Sequence, residues 1–188
     1  MKLKILSSLV IGAAVLVSGC GFNSRADYAP PVNYTSVQTE TDARVLAAVM
    51  AIDKNEISAS ALAQKKAVNP EVRNFATYLY TQHTQDLQMV QGISQRLNVV
   101  PAKGEVARML HAKGHHTMVK LRHLNNAKFD RAYIAEMVKG HSEALHVIDN
   151  KLMPVAINPL VKRELVTLRG HVVMHLQKAQ AIQAQIGR

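Results

Sequence analysis

Four long stretches of this 188-residue chain carry apolar side chains at alternating steps of three and four residues. That spacing places the apolar side chains on one stripe of an α-helix. Four such helices, paired by short turns, bury their stripes best against one another. We therefore predict an all-α four-helix bundle, made of two antiparallel hairpins and a partly helical connector over 99–126. The helices are predicted at 41–67, 70–98, 129–152 and 159–186.

The ends of these helices are marked by local signals. Thr41 or Asp42 is expected to cap the first helix, and Pro70 suits the first position of the second. Within the connector we predict two short helices, 106–112 and 116–124, separated by a break at Gly114.

The N-terminus has the pattern of an exported protein. Two lysines precede an apolar run of about 13 residues, which is too short to span a bilayer and typical of a signal peptide. The run ends in Val-Ser-Gly-Cys20, which resembles the lipobox of bacterial lipoproteins, where the cysteine thiol takes a diacylglycerol. We predict a signal peptide at 1–19, a lipid anchor and flexible tether at 20–40, and a bundle domain at 41–188. The alternative is an ordinary signal peptide followed by a free thiol.

The charge and the export signal together limit the partners. The chain carries 23 basic and 13 acidic residues, and loss of 1–19 removes two lysines and leaves a net charge of +8. Because Gly21 stands where an inner-membrane retention aspartate would, we expect an outer-membrane anchor facing the periplasm. Anionic envelope lipids are then a more natural neighbour than nucleic acid, which we do not expect to bind. A solvated basic surface with no partner is the alternative.

One ionisable residue lies near the middle of each apolar stripe. Burying four such groups is costly unless they pair, hydrogen-bond or bind a cation. Three imidazoles and one carboxylate suit a transition metal such as zinc, copper or iron. The candidate ligands are Glu56, His83, His141 and His175.

Further polar residues lie one helical turn away or on the same stripes. They are candidates for direct ligands or for acceptors of the imidazole N–H groups. His171 is also an alternative to His175 as a ligand, because it lies one turn away on the same helix face. The alternative is a buried polar network in which Glu56 accepts hydrogen bonds and no metal binds. This supporting set is Asp53, Asp86, Asp130, Tyr133 and His171.

The connector holds a second group of histidines. Two of them have i, i+4 helical spacing, but Gly114 lies between them. We interpret the group as exposed, with a surface metal or acid-sensing patch as the alternative. Its members are His111, His115, His116 and His123.

The chain resembles the exported bacterial proteins of the domain of unknown function family 4142. The resemblance spans about residues 42–183. It implies a ferritin-like fold and an outer-membrane protein, which is how the family is often labelled, and it implies no established activity. The chain has no Glu-x-x-His in its long helices, in contrast to di-iron ferritin-like proteins. The residues that carry the resemblance are Phe129-Asp130-Arg131-Ala132-Tyr133-Ile134 with His141, Glu56 before Ala61-Leu62-Ala63, Thr81-Gln82-His83-Thr84, and His175-Leu176 with Ala179.

No catalytic residue is predicted. Once Cys20 is lipidated the chain has no thiol nucleophile, and neither a phosphate-binding glycine loop nor a serine nucleophile elbow is visible. Three functions stay open: a binding or envelope-stress module with a buried metal, a structural or interaction protein with a purely structural polar network, and a metal-dependent redox enzyme.

Overall fold

A computed structural model describes residues 34–187. All regular structure in this range is helical, and the loops are short. The element order is α1 (Ser36–Lys66), α2 (Pro70–Arg96), α3 (Glu105–Arg122), α4 (Asn126–Val147), a π-helical turn (Ile148–Leu152) and α5 (Pro159–Ile186). The predicted all-α class with hairpin packing is confirmed, and α3 adds a fifth helix that packs mainly on α1.

Helix α1 begins earlier than the sequence indicated. The Thr35 hydroxyl accepts from the Gln38 N–H, and the Gln38 side chain accepts from the Thr35 N–H. This reciprocal pair satisfies two backbone donors at the helix start, so capping at Thr41 or Asp42 was wrong. Residues 36–40, assigned to the tether, belong to the helix.

Gly114 does not break the connector, because α3 is one continuous helix. A Cβ at this position would lie 2.1 Å from the Asn55 side-chain oxygen. Asn55 in turn donates to the Leu110 carbonyl at 2.8 Å. The glycine therefore permits close approach of α3 to α1, and a helical glycine at such a contact resembles a breaker in sequence.

Two aspartates bind the turn of the opposite hairpin. The Asp130 carboxylate accepts from the N–H groups of Val68 and Asn69, which immediately precede α2. Asp130 was predicted to support the metal site. Its contact with this turn places it at one end of the bundle, so that prediction is corrected. Asp42 does the same for Ile157 and Asn158 before α5, at 2.9 Å each.

The two hairpins share this arrangement down to the capping residue. The side chains of Asn69 and Asn158 each accept from N–H groups in the first turn that follows, and each is succeeded by a proline. Because the two halves are equivalent, positions in one hairpin can be matched to positions in the other by their spacing from these residues.

The interior contains two apolar clusters. One joins the first half of α1 to the second half of α2, the end of α4 and the first half of α5, with Leu46, Val90, Ile148 and Leu165 at its centre. The other lies at the opposite end and includes Leu79, Phe129, Tyr133 and Ile134. Buried polar side chains occupy the level between these clusters.

The predicted signal peptide 1–19, Cys20 and the tether up to residue 33 lie outside the described residues. Among the helices that the structure describes, none is long and apolar enough to cross a membrane.

Candidate metal centre

Three buried histidines from three helices meet between the apolar clusters. His83 of α2, His141 of α4 and His175 of α5 are each at most 1% exposed. Their ring centroids are 5.1 to 6.1 Å apart. One ring nitrogen of each lies within 4.8 Å of the other two. This spacing is close enough for one ion to contact all three rings after small side-chain adjustments.

Hydrogen bonds fix the orientation of two of these rings. His83 Nδ1 lies 3.0 Å from Asp53 Oδ1, and His141 Nδ1 donates to the Met137 carbonyl at 2.8 Å. Each ring is left with a buried Nε2 that has no hydrogen-bond partner among the described residues. Holding one ring nitrogen and leaving the other free is the usual arrangement of metal-ligating histidines.

His175 is held by aromatic packing. Both of its ring nitrogens are buried without a hydrogen-bond partner in the described part of the chain. Tyr78 packs edge-on at 5.3 Å between centroids, and the His171 ring stacks at 6.3 Å between centroids. A buried imidazole with two unsatisfied nitrogens costs stability unless something binds it.

The His83 and His175 imidazoles are neutral at physiological pH, as ligation requires. Burial is the main cause that lowers the pKa of His83 to about 4. Burial, followed by the neighbouring His83 and His141, lowers the pKa of His175 to about 2.

Asp53 also stays uncharged in the metal-free chain. Burial raises its pKa to about 9, and the charges of Asp86 and Glu56 add to the effect. The Asp53–His83 contact is therefore a neutral pair before a cation arrives. A bound cation would favour the carboxylate form and strengthen the hydrogen bond from the His83 N–H.

A second polar group adjoins the three histidines on the α2–α5 side. Both carboxylate oxygens of Asp86 lie 3.0 Å from His171 Nδ1. Glu164, which sequence reasoning missed, lines the same cleft. Burial and then the charges of Asp86 and Asp53 raise the pKa of Glu164 to about 7.

Glu56 is not among the residues whose ligand atoms lie within 4.8 Å of one another in the histidine group. It is half-buried and lines a cleft between α1, α3 and α4, and its Oε2 has no hydrogen-bond partner among the described residues. Tyr133 lies nearby, and its hydroxyl pairs with Ser60 at 3.2 Å. Burial raises the pKa of the Tyr133 phenol. Ligation by Glu56 stays a prediction.

The structure thus brings together His83, His141 and His175, with Asp53, Asp86 and His171 beside them. The four connector histidines are exposed, as predicted. Glu164 sits next to the apolar stripe of α5, three residues after Val161, and that spacing was the available signal for it.

The fold and this cluster define a class: an all-helical domain with a buried His/Asp group that could hold a metal ion. The chain belongs to the family described as Domain of unknown function (DUF4142), whose model matches residues 29–182. This match confirms the resemblance drawn from the sequence. No curated protein matches the chain.

A solved structure shares the fold. The chain is similar to the crystal structure from Streptomyces coelicolor described as "putative secreted protein DUF305", with a TM-score of 0.67 and 14% sequence identity. The match covers 78% of this chain and 94% of that one. At this identity the likeness concerns the fold alone.

Proposed function

We propose that this domain is a transition-metal-binding module whose ligands are His83, His141 and His175. The observation that carries the proposal is the convergence of three buried imidazoles with free Nε2 atoms. Three nitrogen ligands and a fourth open position suit zinc, copper or iron better than cations that prefer oxygen. The fourth coordination position would be filled by Glu56 or by a small ligand that enters through the cleft beside it.

A purely structural network accounts less well for these contacts. In a structural network the buried donors and acceptors bond to one another. Here two histidines are instead tied back by Nδ1, and their Nε2 atoms are buried without a hydrogen-bond partner in the described residues. Four ring nitrogens stay without a hydrogen-bond partner in the described residues.

Calorimetry on the chelated chain tests the proposal. Zinc, copper(II) and iron(II) are titrated separately into the untagged chain in detergent. We expect at least one of these metals to bind saturably, with about one ion per chain. The His141→Ala, His175→Ala chain should show no such binding. Absence of binding for all three metals would refute the module.

Cobalt(II) gives a direct view of the ligand sphere. A nitrogen-rich, four-coordinate site should produce visible absorption bands that the His83→Ala chain lacks. A parent spectrum identical to that of aqueous cobalt would argue that no ion reaches the three rings.

We also propose that the domain is ferritin-like and is tethered to the outer membrane, on its periplasmic side, through a lipid on Cys20. Support comes from the two related hairpins, the polar group at mid-bundle and the lipobox-like sequence. Radiolabelled palmitate should enter the parent chain and be lost in Cys20→Ser, which should then leave the membrane fraction. Equal labelling of both chains would overturn the anchor.

A further inference from the structure

Three carboxylates lie beside the three-histidine centre, and the proposed function does not use them as ligands. Asp53 is fully buried, and Asp86 and Glu164 are each 5% exposed. Ligand atoms of Asp53, Asp86 and His83 lie within 4.8 Å of one another. Glu164 lines the cleft with Asp86 but lies outside this closely spaced group, so its side chain would have to move to reach an ion held by the aspartates.

Two oxygens of these carboxylates lack a hydrogen-bond partner among the described residues. Asp53 Oδ2 and Glu164 Oε1 are buried and have no hydrogen-bond partner among the described residues. Asp86 by contrast is held by His171, so its carboxylate is already oriented. Buried carboxylates that crowd together without a cation are costly, and each unpaired oxygen adds to the cost.

The cleft gives this group an opening to solvent. It runs between α2 and α5, has a volume of about 870 Å³ and is lined by Asp86, Glu164 and His171. Arg96 and Arg163 also line it, but neither forms a salt bridge with these carboxylates. Within the described residues, no lysine or arginine forms a salt bridge with these three carboxylates.

The equivalence of the two hairpins also suggests that these carboxylates bind a cation. Asp53 follows Asp42 by the spacing at which His141 follows Asp130, and Asp86 follows Asn69 by the spacing at which His175 follows Asn158. One hairpin thus presents carboxylates at the positions where the other presents imidazoles.

We propose a second cation site for a divalent ion that prefers oxygen ligands, built on Asp53 and on the Asp86 carboxylate that His171 orients, with Glu164 as a further ligand from the wall of the cleft. Manganese(II), magnesium and calcium have this preference. The site adjoins the histidine centre through the Asp53–His83 contact, so the domain would hold a soft and a hard ion side by side. It does not depend on the histidine centre being filled.

Manganese(II) is the probe, because free and bound ions are distinguished by electron paramagnetic resonance. The full chain in detergent is first loaded with zinc, which outcompetes manganese for imidazoles. We expect one manganese per chain in the parent and at least tenfold weaker binding in Glu164→Gln and in Asp86→Asn. Asp149→Asn, at an exposed carboxylate paired with Arg169, is the matched control and should bind as the parent does.

The zinc content of the same samples separates this site from the histidine centre. Zinc should be retained in Glu164→Gln, and manganese should be retained in His141→Ala, His175→Ala. Failure of the parent to bind manganese saturably, or binding as tight as the parent's in both carboxylate variants, would overturn the second site. Loss of manganese only in the histidine variant would assign it to the imidazoles and also overturn it. Manganese binding without zinc binding would refute the histidine centre and leave this site standing.

Discussion

His83 is the residue at which the two polar groups of the interior meet. Its Nδ1 faces Asp53 and its ring packs against both other histidines of the centre. An acceptor behind a ligating imidazole fixes its tautomer and raises its basicity. Asp53 is thus expected to act on metal binding through His83 as well as through its own free oxygen.

Replacing Asp53 by asparagine tests this role. We expect the affinity of the histidine centre for zinc to fall about 10- to 100-fold, because the charged acceptor behind His83 is lost. The metal-free stability should change by less than about 1 kcal/mol, because Asp53 is uncharged in that state and asparagine has its shape. Competition with a zinc chelator measures the first and urea unfolding the second.

Asp149→Asn is again the control, since that carboxylate is exposed and pairs with Arg169 and with no group of the centre. Unchanged zinc affinity in Asp53→Asn would show that Asp53 does not support His83. A large loss of metal-free stability would show that its role is structural.

At the residue scale, the sequence predicted which helix faces carry the buried polar groups but not their positions along the bundle axis. His83, His141 and His175 were found because each interrupts an apolar stripe. Asp130 interrupts a stripe as well, yet it lies at the end of the bundle and binds a turn. The Met137 carbonyl could not be found, because every helical residue has a carbonyl and only the ring position selects one.

At the scale of elements, the two turn-binding aspartates join the hairpins. Each carboxylate satisfies two N–H groups that would otherwise be left unpaired ahead of a helix. Because the contacts run from α4 to the first hairpin and from α1 to the second, they fix the relative level of the two hairpins. The level of the histidines depends on that register.

Asparagine at either position should weaken the fold to a similar extent. An amide has one acceptor oxygen, so Asp42→Asn and Asp130→Asn each lose a charge-assisted hydrogen bond, and we expect each to cost about 1–3 kcal/mol. Urea unfolding of the metal-free chains measures the two values. A cost near zero at one position would contradict the equivalence of the hairpins.

Two glycines test how α3 packs on α1. Gly114→Ala should destabilise the chain by about 1–3 kcal/mol, because its methyl group would displace Asn55 from the Leu110 carbonyl. Gly92→Ala is the matched control: it lies in α2 with no atom near its Cβ position and should stabilise by up to about 1 kcal/mol. Thermal unfolding of both variants gives the answer, and a stabilising Gly114→Ala would contradict the described contact.

Helix existence was predictable and helix ends were less so. Apolar stripes identified α1, α2, α4 and α5, whereas the start of α1 depends on the reciprocal Thr35–Gln38 pair, which lies before the first apolar residue of the stripe. The continuity of α3 depended on a contact with Asn55, fifty-nine residues before Gly114, and no local pattern reports such a contact.

At the scale of the whole molecule, a polar layer separates two apolar clusters. The clusters supply the stability of the bundle, and the layer costs stability as long as its nitrogens and oxygens stay unpaired. A bound ion would turn the costly layer into a link between the two hairpins, through α2 on one side and α4 and α5 on the other.

Metal removal should therefore lower thermal stability. At a free zinc concentration about 1,000 times the Kd, binding contributes about 4 kcal/mol, which corresponds to a shift in Tm on the order of 10 °C for a domain of this size. Calorimetric scans with and without a chelator measure the shift. The His141→Ala, His175→Ala chain should show none, and an equal shift in that chain would indicate binding elsewhere.

The most direct test of the metal centre is the metal content of the untagged chain as purified from cells, measured by elemental mass spectrometry. We expect about one transition-metal ion per chain in the parent and in the His111→Ala, His115→Ala control, whose two histidines are exposed. The His83→Ala, His141→Ala chain should contain none. A metal-free parent that also fails to take up metal when reloaded, with a variant that is merely less stable, would contradict the account and show that the histidines support only the fold.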